Sequence, residues 1–272
     1  MSAVFRRRKR KGLLMHAHFV LSHPEPQSFN AHLVQAGSAA LKAEGWTVSV
    51  SDLYAMGFDP CERPKHYLAR ADPARFDAQV EQRHASETGS LPNVVADELS
   101  LLDRADLLVL QYPMWWHLPP AMLKGWFDRV LAYGGVYTSK RRFENGRFVG
   151  KHAMVSVTVG TDRNTYEHDG RSGDIDLLLW PVNFTLAYVG YGIVAPYVAY
   201  GVEAGLRYSD PGAIEERLKA VVANFRGTLP RFSERVPVPF NRMEEWGPDG
   251  RIVPGAPVHS PFIRRKRRLD LE

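Results

Sequence analysis

A loop with two tryptophans and a histidine, at residues 115–117, is the part of the sequence best suited to chemistry. It follows the apolar run 107–110, which is short enough to be a buried strand. Pro113 ends that strand, and Pro119-Pro120 favours a new helix start. Because ligands bind at the carboxyl edge of an open α/β sheet, two flat rings there predict a wall for a planar ligand. The alternative is that the two indoles fill the core.

The first predicted strand–loop–helix unit holds a second set of candidate residues. Ser28 is a good helix N-cap, and the free N–H groups and dipole of a helix start favour an anion. His23 lies at the strand end, five residues earlier. A phosphate could be held between the two side chains. The alternative is an ordinary N-cap beside an incidental histidine.

Several other kinds of site are excluded. The chain has no Walker loop, no His-Glu-x-x-His spacing and no nucleophile elbow. A Gly190-x-Gly192-x-x-Ala195 match precedes a strand that contains Pro196, whereas a dinucleotide fingerprint opens a helix. The sequence therefore predicts no metal site and no Rossmann-type nucleotide loop.

The basic character of the chain is concentrated in two runs. The formal net charge is +5, but residues 6–11 and 264–268 are unbroken cations. Without these eleven cations, 24 basic residues remain against 30 acidic ones. Such runs are usually solvated arms, although a nucleic-acid or anionic-membrane role is the alternative. No aromatic residues alternate with the cations, so we expect no nucleic-acid partner.

Cysteine content and hydropathy indicate the cellular compartment of the protein and whether it inserts into a membrane. Cys61 is the only cysteine, which excludes an intrachain disulfide and fits a reducing cytoplasm. The basic N-terminal stretch lacks the cleavage pattern of a signal peptide. Residues 177–202 carry no charge and are long enough to span a membrane, but Pro181, Gly190, Gly192 and Pro196 interrupt them. We expect a buried helix, a turn and a buried strand there, with no stable membrane insertion.

Alternating strand and helix patterns predict an α/β fold with a doubly wound, five-stranded parallel sheet and helices on both faces. The predicted strands are 16–22, 46–52 (at a sheet edge), 106–112, 152–159 and 192–200. The predicted helices start after Ser28 and cover 93–104, 119–132, 175–189 and 210–227. Residues 53–91 are too long for an idle connection and predict an insertion with a role at a site or an interface.

The same patterns predict three parts of the chain. Residues 1–14 are expected to be a basic, disordered extension, and residues 15–227 one folded domain. Residues 228–272 lack periodicity, so we expect a C-terminal tail that packs on the surface or on a partner subunit.

The sequence resembles the flavodoxin-fold NAD(P)H:quinone oxidoreductase family from Met15 to Phe225. The most specific stretch is Leu123-Lys124-Gly125-Trp126-Phe127-Asp128-Arg129-Val130, whose pieces are unlikely to co-occur by chance. Other matching motifs, in chain order, are His23-x4-Ser28-Phe29-Asn30, Ser51-Asp52-Leu53-Tyr54, Tyr112-Pro113-Met114-Trp115-Trp116, Tyr133-Gly134-Gly135-Val136-Tyr137, Ser156-Val157-Thr158-Val159-Gly160 with Tyr166, Gly173-Asp174, Leu179-Trp180-Pro181 and Gly190.

The resemblance implies that residues 15–227 are a flavodoxin-like, FAD-binding catalytic domain, and it implies a role for each matched residue. The FAD pyrophosphate and adenine side would be held by His23, Ser28, Phe29 and Asn30. The flavin ring would be wrapped by Pro113, Met114, Trp115 and Trp116. Its pyrimidine edge would meet Thr158, Gly160, Thr161 and Tyr166. Tyr166, His117 and Gly160 would act in catalysis, and a substrate pocket across a homodimer interface would be lined by Trp116, His117, Tyr137 and Tyr188.

Four positions depart from the family pattern. Gly160-Thr161 stands where a Gly-Gly pair is common, and Ser172 where a histidine often supports the flavin tyrosine. His117 replaces an aromatic residue and Ser139 a second pocket tyrosine. These departures leave open whether His117 or His168 takes part in proton transfer.

The implied function is a flavoenzyme that works by a ping-pong cycle. NADH or NADPH would pass a hydride to FAD and leave, and a quinone or similar aromatic acceptor would then take the electrons at the same face. Two alternatives stay open: a regulatory flavoprotein subunit of a potassium-efflux-type system, and a non-enzymatic flavodoxin-like electron carrier. The sequence does not show whether NADH or NADPH is the preferred donor, or whether the acceptor is a quinone, an azo compound or a nitro compound.

Overall fold

A five-stranded parallel sheet in the order β2-β1-β3-β4-β5 forms the centre of the molecule, in a computed structural model that describes residues 14–203, 210–260 and 263. The strands are β1 (His16–Leu21), β2 (Thr47–Asp52), β3 (Leu107–Pro113), β4 (His152–Thr158) and β5 (Gly192–Ala199). This order confirms the predicted doubly wound sheet and the edge position of the second strand. The two cationic runs, at residues 6–11 and 264–268, lie outside the described residues.

Helices cover both faces of the sheet, as predicted. They are α1 (Phe29–Ala43), α2 (Ala78–Thr88), α3 (Asn93–Arg104), α4 (Ala121–Val130), α5 (Ile175–Tyr188) and α6 (Pro211–Thr228). One apolar cluster joins the sheet to α3, α4 and α5, and a second joins it to α1 and α6. The middle strand β3 is buried along its whole length, because both faces are covered.

The predicted end of β3 and the predicted start of α4, on either side of the tryptophan loop, are close to the observed ones. A proline explains the small difference at each boundary. Pro113 is the last residue of β3 and pairs with Thr158 at the sheet end. At the end of the strand, the missing N–H of Pro113 does not remove a hydrogen bond from the interior of the sheet. Pro120 has extended backbone angles and acts as the N-cap, so α4 begins at Ala121 rather than at residue 119.

The insertion at residues 53–91 packs on α4. The Arg129 guanidinium donates a hydrogen bond of 2.6 Å to the carbonyl oxygen of Asp59. Gly125, inside α4, lets the Pro60 backbone approach so closely that a methyl group there would overlap its carbonyl oxygen. The insertion also contains α2, which the sequence reading did not predict. Its N-cap Asp77 accepts hydrogen bonds from Gln79 and Val80, so local capping defines this polar helix.

The chain after α6 joins the core. A short 3₁₀ helix, Leu229–Glu234, buries Leu229 and Phe232 against α1 and the sheet. The next residues pair with the outer edge of β5: Val238 N–H donates to Ile193 and Ala195 N–H donates to the carbonyl of Val236.

The division of the chain at residues 14 and 227 stays a prediction. Within the described part, no helix is long and apolar enough to cross a membrane.

Candidate functional site

Most of the predicted cofactor residues converge at the carboxyl edge of the sheet. The loops that follow β1, β3 and β4 lie side by side there, because parallel strands end at the same edge. The Met114 N–H donates a hydrogen bond of 2.9 Å to the carbonyl oxygen of Thr158. The tryptophan loop and the Gly160 loop therefore start from a fixed relative position.

The first turn of α1 presents free amide groups to this edge. Ser28 is the N-cap, as predicted, and its Oγ accepts a hydrogen bond of 3.2 Å from the Ala31 N–H. Among the described residues, the backbone N–H groups of Phe29 and Asn30 meet no acceptor. Since the helix dipole also places partial positive charge here, this turn suits a phosphate.

His23 stands next to the tryptophan loop with a defined tautomer. The Glu25 backbone N–H donates to His23 Nδ1 at 3.0 Å, and a backbone amide can only donate. Burial lowers the pKa of His23 below its ordinary value of 6.5, although the contact with Glu25 opposes this effect. The neutral ring therefore carries its proton on Nε2, which remains a donor for an anion. The His23 ring lies 6.1 Å from the Trp115 ring, centroid to centroid.

The two tryptophans do not fill the core, so that alternative is wrong. Trp115 is 42% exposed and Trp116 is 92% exposed. Trp115 and Leu118 exchange two backbone hydrogen bonds of 3.0 Å, which close a two-residue turn. Both central residues, Trp116 and His117, have positive φ values (52° and 63°). This is the sign pattern of a type I′ turn, in which glycine or asparagine is usual. The strained backbone holds both side chains outside the fold.

The loop after β4 supplies further free donors. The N–H groups of Gly160 and Thr161 meet no acceptor among the described residues. A short 3₁₀ helix, Arg163–Tyr166, follows, and the Tyr166 ring lies 6.1 Å from the Tyr200 ring. Burial raises the pKa of Tyr200 above its ordinary value of 10.0. Ser172 is tied to this loop by a backbone hydrogen bond from its N–H to the carbonyl of Thr165. This arrangement can bind the hydrogen-bonding edge of a planar heterocycle.

The Asn30 side chain points into the protein and not towards the open edge. It is 3% exposed, and its Nδ2 donates a hydrogen bond of 3.1 Å to Thr158 Oγ1. Its Oδ1 accepts a hydrogen bond of 2.8 Å from Gln111 Nε2. Any contact of Asn30 with a phosphate would therefore use its backbone N–H.

Two predicted pocket residues lie in another cluster. The rings of Tyr137 and Tyr188 are 5.6 Å apart, and both belong to an aromatic array with Tyr133 and Phe143. No ring contact in the described part of the chain joins this array to Trp116. The described part of one protomer therefore shows no direct ring contact of Tyr137 or Tyr188 with the tryptophan loop.

A groove of about 650 Å³ between α1 and α6 adjoins the first turn of α1. Phe29, in the first turn of α1, lines it and stacks on His32 at 6.2 Å. Apolar side chains of α6, including Ile214 and Leu218, form the other wall. The groove offers space for a ring system beyond a phosphate bound at Ser28.

Gln111 and Tyr200 also lie at the carboxyl edge of the sheet, although neither was predicted from the sequence to have a role there. Gln111 is a polar residue in the otherwise apolar strand β3 and is completely buried. That contrast between side chain and strand was a usable signal. Tyr200 follows β5, and nothing in its sequence context distinguished it from the other tyrosines.

The donor set fits a flavin nucleotide. Indole rings offer stacking surface, the Gly160 loop offers amide donors, and α1 offers an anion site. The arrangement contains no cluster of metal-ligating side chains among the described residues.

Comparisons with known proteins agree with this assignment. The flavodoxin-like fold family matches residues 15–225. The NAD(P)H dehydrogenase [quinone] 1 of Cavia porcellus is 38% identical over 70% of this chain and 70% of its own length. The ribosyldihydronicotinamide dehydrogenase [quinone] of Homo sapiens is 35% identical over 81% of this chain and 93% of its own length.

A solved structure gives the same answer. A Klebsiella pneumoniae protein described as a quinone reductase superposes with a TM-score of 0.77 at 31% identity, covering 88% of this chain and 94% of its own. Fold, motifs and full-length similarity all agree. The chain therefore belongs to the flavodoxin-fold family of NAD(P)H:quinone oxidoreductases.

Proposed function

We propose that this protein is an FAD-dependent NAD(P)H dehydrogenase that reduces quinones, or similar aromatic acceptors, by two-electron hydride transfer in a ping-pong cycle. The bound flavin supplies hydride-acceptor and hydride-donor chemistry that no side chain of the protein has. The observation that carries the proposal is the meeting of free N–H donors and exposed indole rings at one sheet edge.

The phosphate end of the cofactor would bind at the first turn of α1. The donors there are the N–H groups of Phe29 and Asn30 and the Nε2–H of His23. Ser28 would hold this turn in shape through its cap bond to Ala31. Two backbone donors, a helix dipole and a neutral imidazole together make a strong anion site.

The α1/α6 groove supports FAD over FMN. FMN ends at one phosphate, whereas FAD continues into an adenosine that needs an apolar place beyond the anion site. The groove begins at Phe29, and its walls offer the apolar side chains of Ile214 and Leu218. We infer that the adenine lies there.

The ring end would lie between the tryptophan loop and the Gly160 loop. Trp115 and Trp116, with the backbone of Pro113 and Met114, would hold the flat face. The N–H groups of Gly160 and Thr161 and the hydroxyl of Tyr166 would face the pyrimidine edge. These donors would stabilise the negative charge that develops at that edge during hydride transfer. Thr158 was also predicted to line this edge, but its hydroxyl is buried and bonded to Asn30, so it would support the Gly160 loop from behind.

The second half of the substrate pocket would come from a partner copy. Tyr137 and Tyr188 are half-buried, and within the described part of the chain their ring contacts are with each other and with Tyr133, Phe143 and Phe184. In a homodimer they would line the pocket of the other protomer, opposite Trp116 and His117. NADH or NADPH and then the acceptor would enter this pocket in turn. We expect a cytoplasmic location and no nucleic-acid partner.

The purified protein tests the proposal directly. We expect a flavin absorption spectrum, release of FAD on heating, and bleaching on anaerobic addition of NADH or NADPH, followed by recovery when a quinone is added. Released FMN would contradict the choice of flavin. A flavin that NAD(P)H does not bleach would favour the electron carrier. Slow turnover together with co-purification of a membrane protein would favour the regulatory subunit.

A groove-filling variant separates the two flavins. Ile214→Trp should block the α1/α6 groove, lowering the affinity for FAD while leaving the affinity for FMN unchanged. Val80→Trp, on the exposed side of α2, is the matched control. If Ile214→Trp binds FAD as well as the wild type does, the adenine does not lie in this groove.

A further inference from the structure

Gln111 is an unusual residue in its place and is not expected to touch the cofactor. It is completely buried in β3, where it pairs in register with Leu21 of β1 and Ser156 of β4. Its Nε2 donates to Asn30 Oδ1 at 2.8 Å, but its Oε1 is buried without a partner among the described residues. A buried, unpartnered carbonyl oxygen destabilises a fold, whereas an apolar side chain would not. The amide therefore needs an explanation other than stability.

The Gln111 amide connects segments that are distant in sequence. Asn30, its partner, is the second residue of α1 and belongs to the predicted phosphate-binding turn. Asn30 in turn donates to Thr158, which ends β4 directly before the Gly160 loop. Asn30 and Thr158 are 128 residues apart along the chain. One chain of hydrogen bonds thus joins the phosphate end and the ring end of the site.

We infer that Gln111 is a positioning residue that couples the two ends of the flavin site through Asn30. With Asn30 held, the first turn of α1 and the Gly160 loop keep one relative position. The phosphates and the flavin ring can then be bound at the same time without distortion. This inference rests on the proposed flavin-binding function.

The test compares FAD with riboflavin, which has the ring but no phosphate. The variant Gln111→Met keeps the approximate shape of the side chain and removes its donor. We expect the preference for FAD over riboflavin to fall about tenfold, because a misplaced α1 turn weakens only the ligand that uses both ends. The matched control is Ser156→Ala. Ser156 is equally buried and pairs with Gln111, and its hydroxyl has no hydrogen-bond partner within the described part of the chain, so the preference should not change.

A second measurement asks whether Gln111 acts through Asn30. In an Asn30→Ala background, Gln111→Met should cause no further loss of the FAD preference. A full tenfold loss in that background would overturn the inference. So would an unchanged preference accompanied only by a lower melting temperature, since that is the result expected of a core filler. An equal loss of affinity for FAD and riboflavin would overturn it as well.

Failure of the inference is distinguishable from failure of the proposed function. A wild-type protein that binds no flavin refutes both, and this titration is done first. If the wild type prefers FMN, the FMN-to-riboflavin ratio replaces the FAD ratio and the inference is still tested. If Gln111→Met does not fold, Gln111→Asn draws the amide away from Asn30 by one methylene and should show the same loss.

Discussion

The indole N–H of Trp126 donates a hydrogen bond of 2.8 Å to the carboxylate of Glu98, and both residues are almost completely buried. Ser51 donates to the other carboxylate oxygen at 2.5 Å, and His18 Nε2 lies 3.9 Å from Glu98. This polar group ties α3, α4, β1 and β2 together beneath the specific motif of α4. Burial alone would raise the pKa of Glu98, but the nearby His18 ring and the hydrogen bonds from Ser51 and Trp126 hold it below the ordinary value of 4.5.

Glu98 is expected to make the fold sensitive to acid. Because its pKa is lower in the folded chain, the unfolded chain takes up the proton first as the pH falls. The stability that the carboxylate contributes is therefore present above pH 4.5 and is lost as the pH falls through the folded value. Glu98→Gln should reduce the change in melting temperature between about pH 7 and pH 4. An unchanged pH dependence in Glu98→Gln would refute this prediction.

Glu98→Ala should destabilise by about 2–4 kcal/mol at neutral pH, because the Trp126 N–H loses its acceptor.

Gly125→Ala should strongly destabilise the protein although alanine favours helices. The added methyl group would overlap the Pro60 backbone, which cannot move far because Arg129 holds the neighbouring Asp59 carbonyl. We expect a loss of about 1–3 kcal/mol in urea unfolding, as in overpacked cores. Gly150→Ala is an informative comparison, since nothing lies within 4 Å of a methyl group there and only its φ of +86° opposes the change. Equal stability of Gly125→Ala and wild type would show that the insertion packs less closely on α4.

Trp116→Ala should weaken flavin binding and slow hydride transfer, because stacking surface and pocket shape are lost. Trp116 is 92% exposed, so its removal should leave the melting temperature of the flavin-free protein nearly unchanged. Leu118→Ala, exposed at the foot of the same turn, is the matched control. Full flavin content and full rate in Trp116→Ala would mean that the indole has no part in the site.

His117→Phe should slow the reoxidation of the reduced protein by quinone and leave its reduction by NAD(P)H unchanged. The imidazole is exposed next to Trp116 and can transfer a proton to an acceptor, which a phenyl ring cannot do. The measurement is the pH profile of each half-reaction under single-turnover conditions. If both half-reactions keep the wild-type rate and pH dependence, His117 is only part of the rim.

Deletion of residues 1–14 should leave fold, flavin content and turnover intact. The segment contains six consecutive cations, which cannot form a core, and Leu14 is 69% exposed. The deletion keeps the His16 N–H, which donates to Asp106 at 2.9 Å and anchors the start of β1. Gel filtration, flavin absorbance and steady-state rates test it. Loss of flavin or a change in oligomeric state would give the segment a structural role.

Local sequence patterns predicted the sheet, every α-helix except α2, and the segments that meet at the carboxyl edge of the sheet. These predictions came from local signals: the strand and helix periodicities, the Ser28 cap and the prolines around the tryptophan loop. Such signals can be recognised in the sequence without knowing the tertiary contacts. The prediction of a helix at 93–104 matches α3 to the residue. The family motifs then supplied candidate roles for residues such as His23, Tyr166 and Gly160.

The folded structure was needed to show which side chains face the site and which face the core. Asn30 was predicted to hold the phosphate end of the cofactor and Trp116 the ring end, yet the Asn30 side chain is turned inward to Thr158 while Trp116 points outward. The hydrogen bonds of Asn30 join residues far apart in the chain, and the exposure of Trp116 follows from positive φ values in its turn. Side-chain direction depends on such long-range partners and on backbone angles, and neither leaves a periodic signal in the sequence.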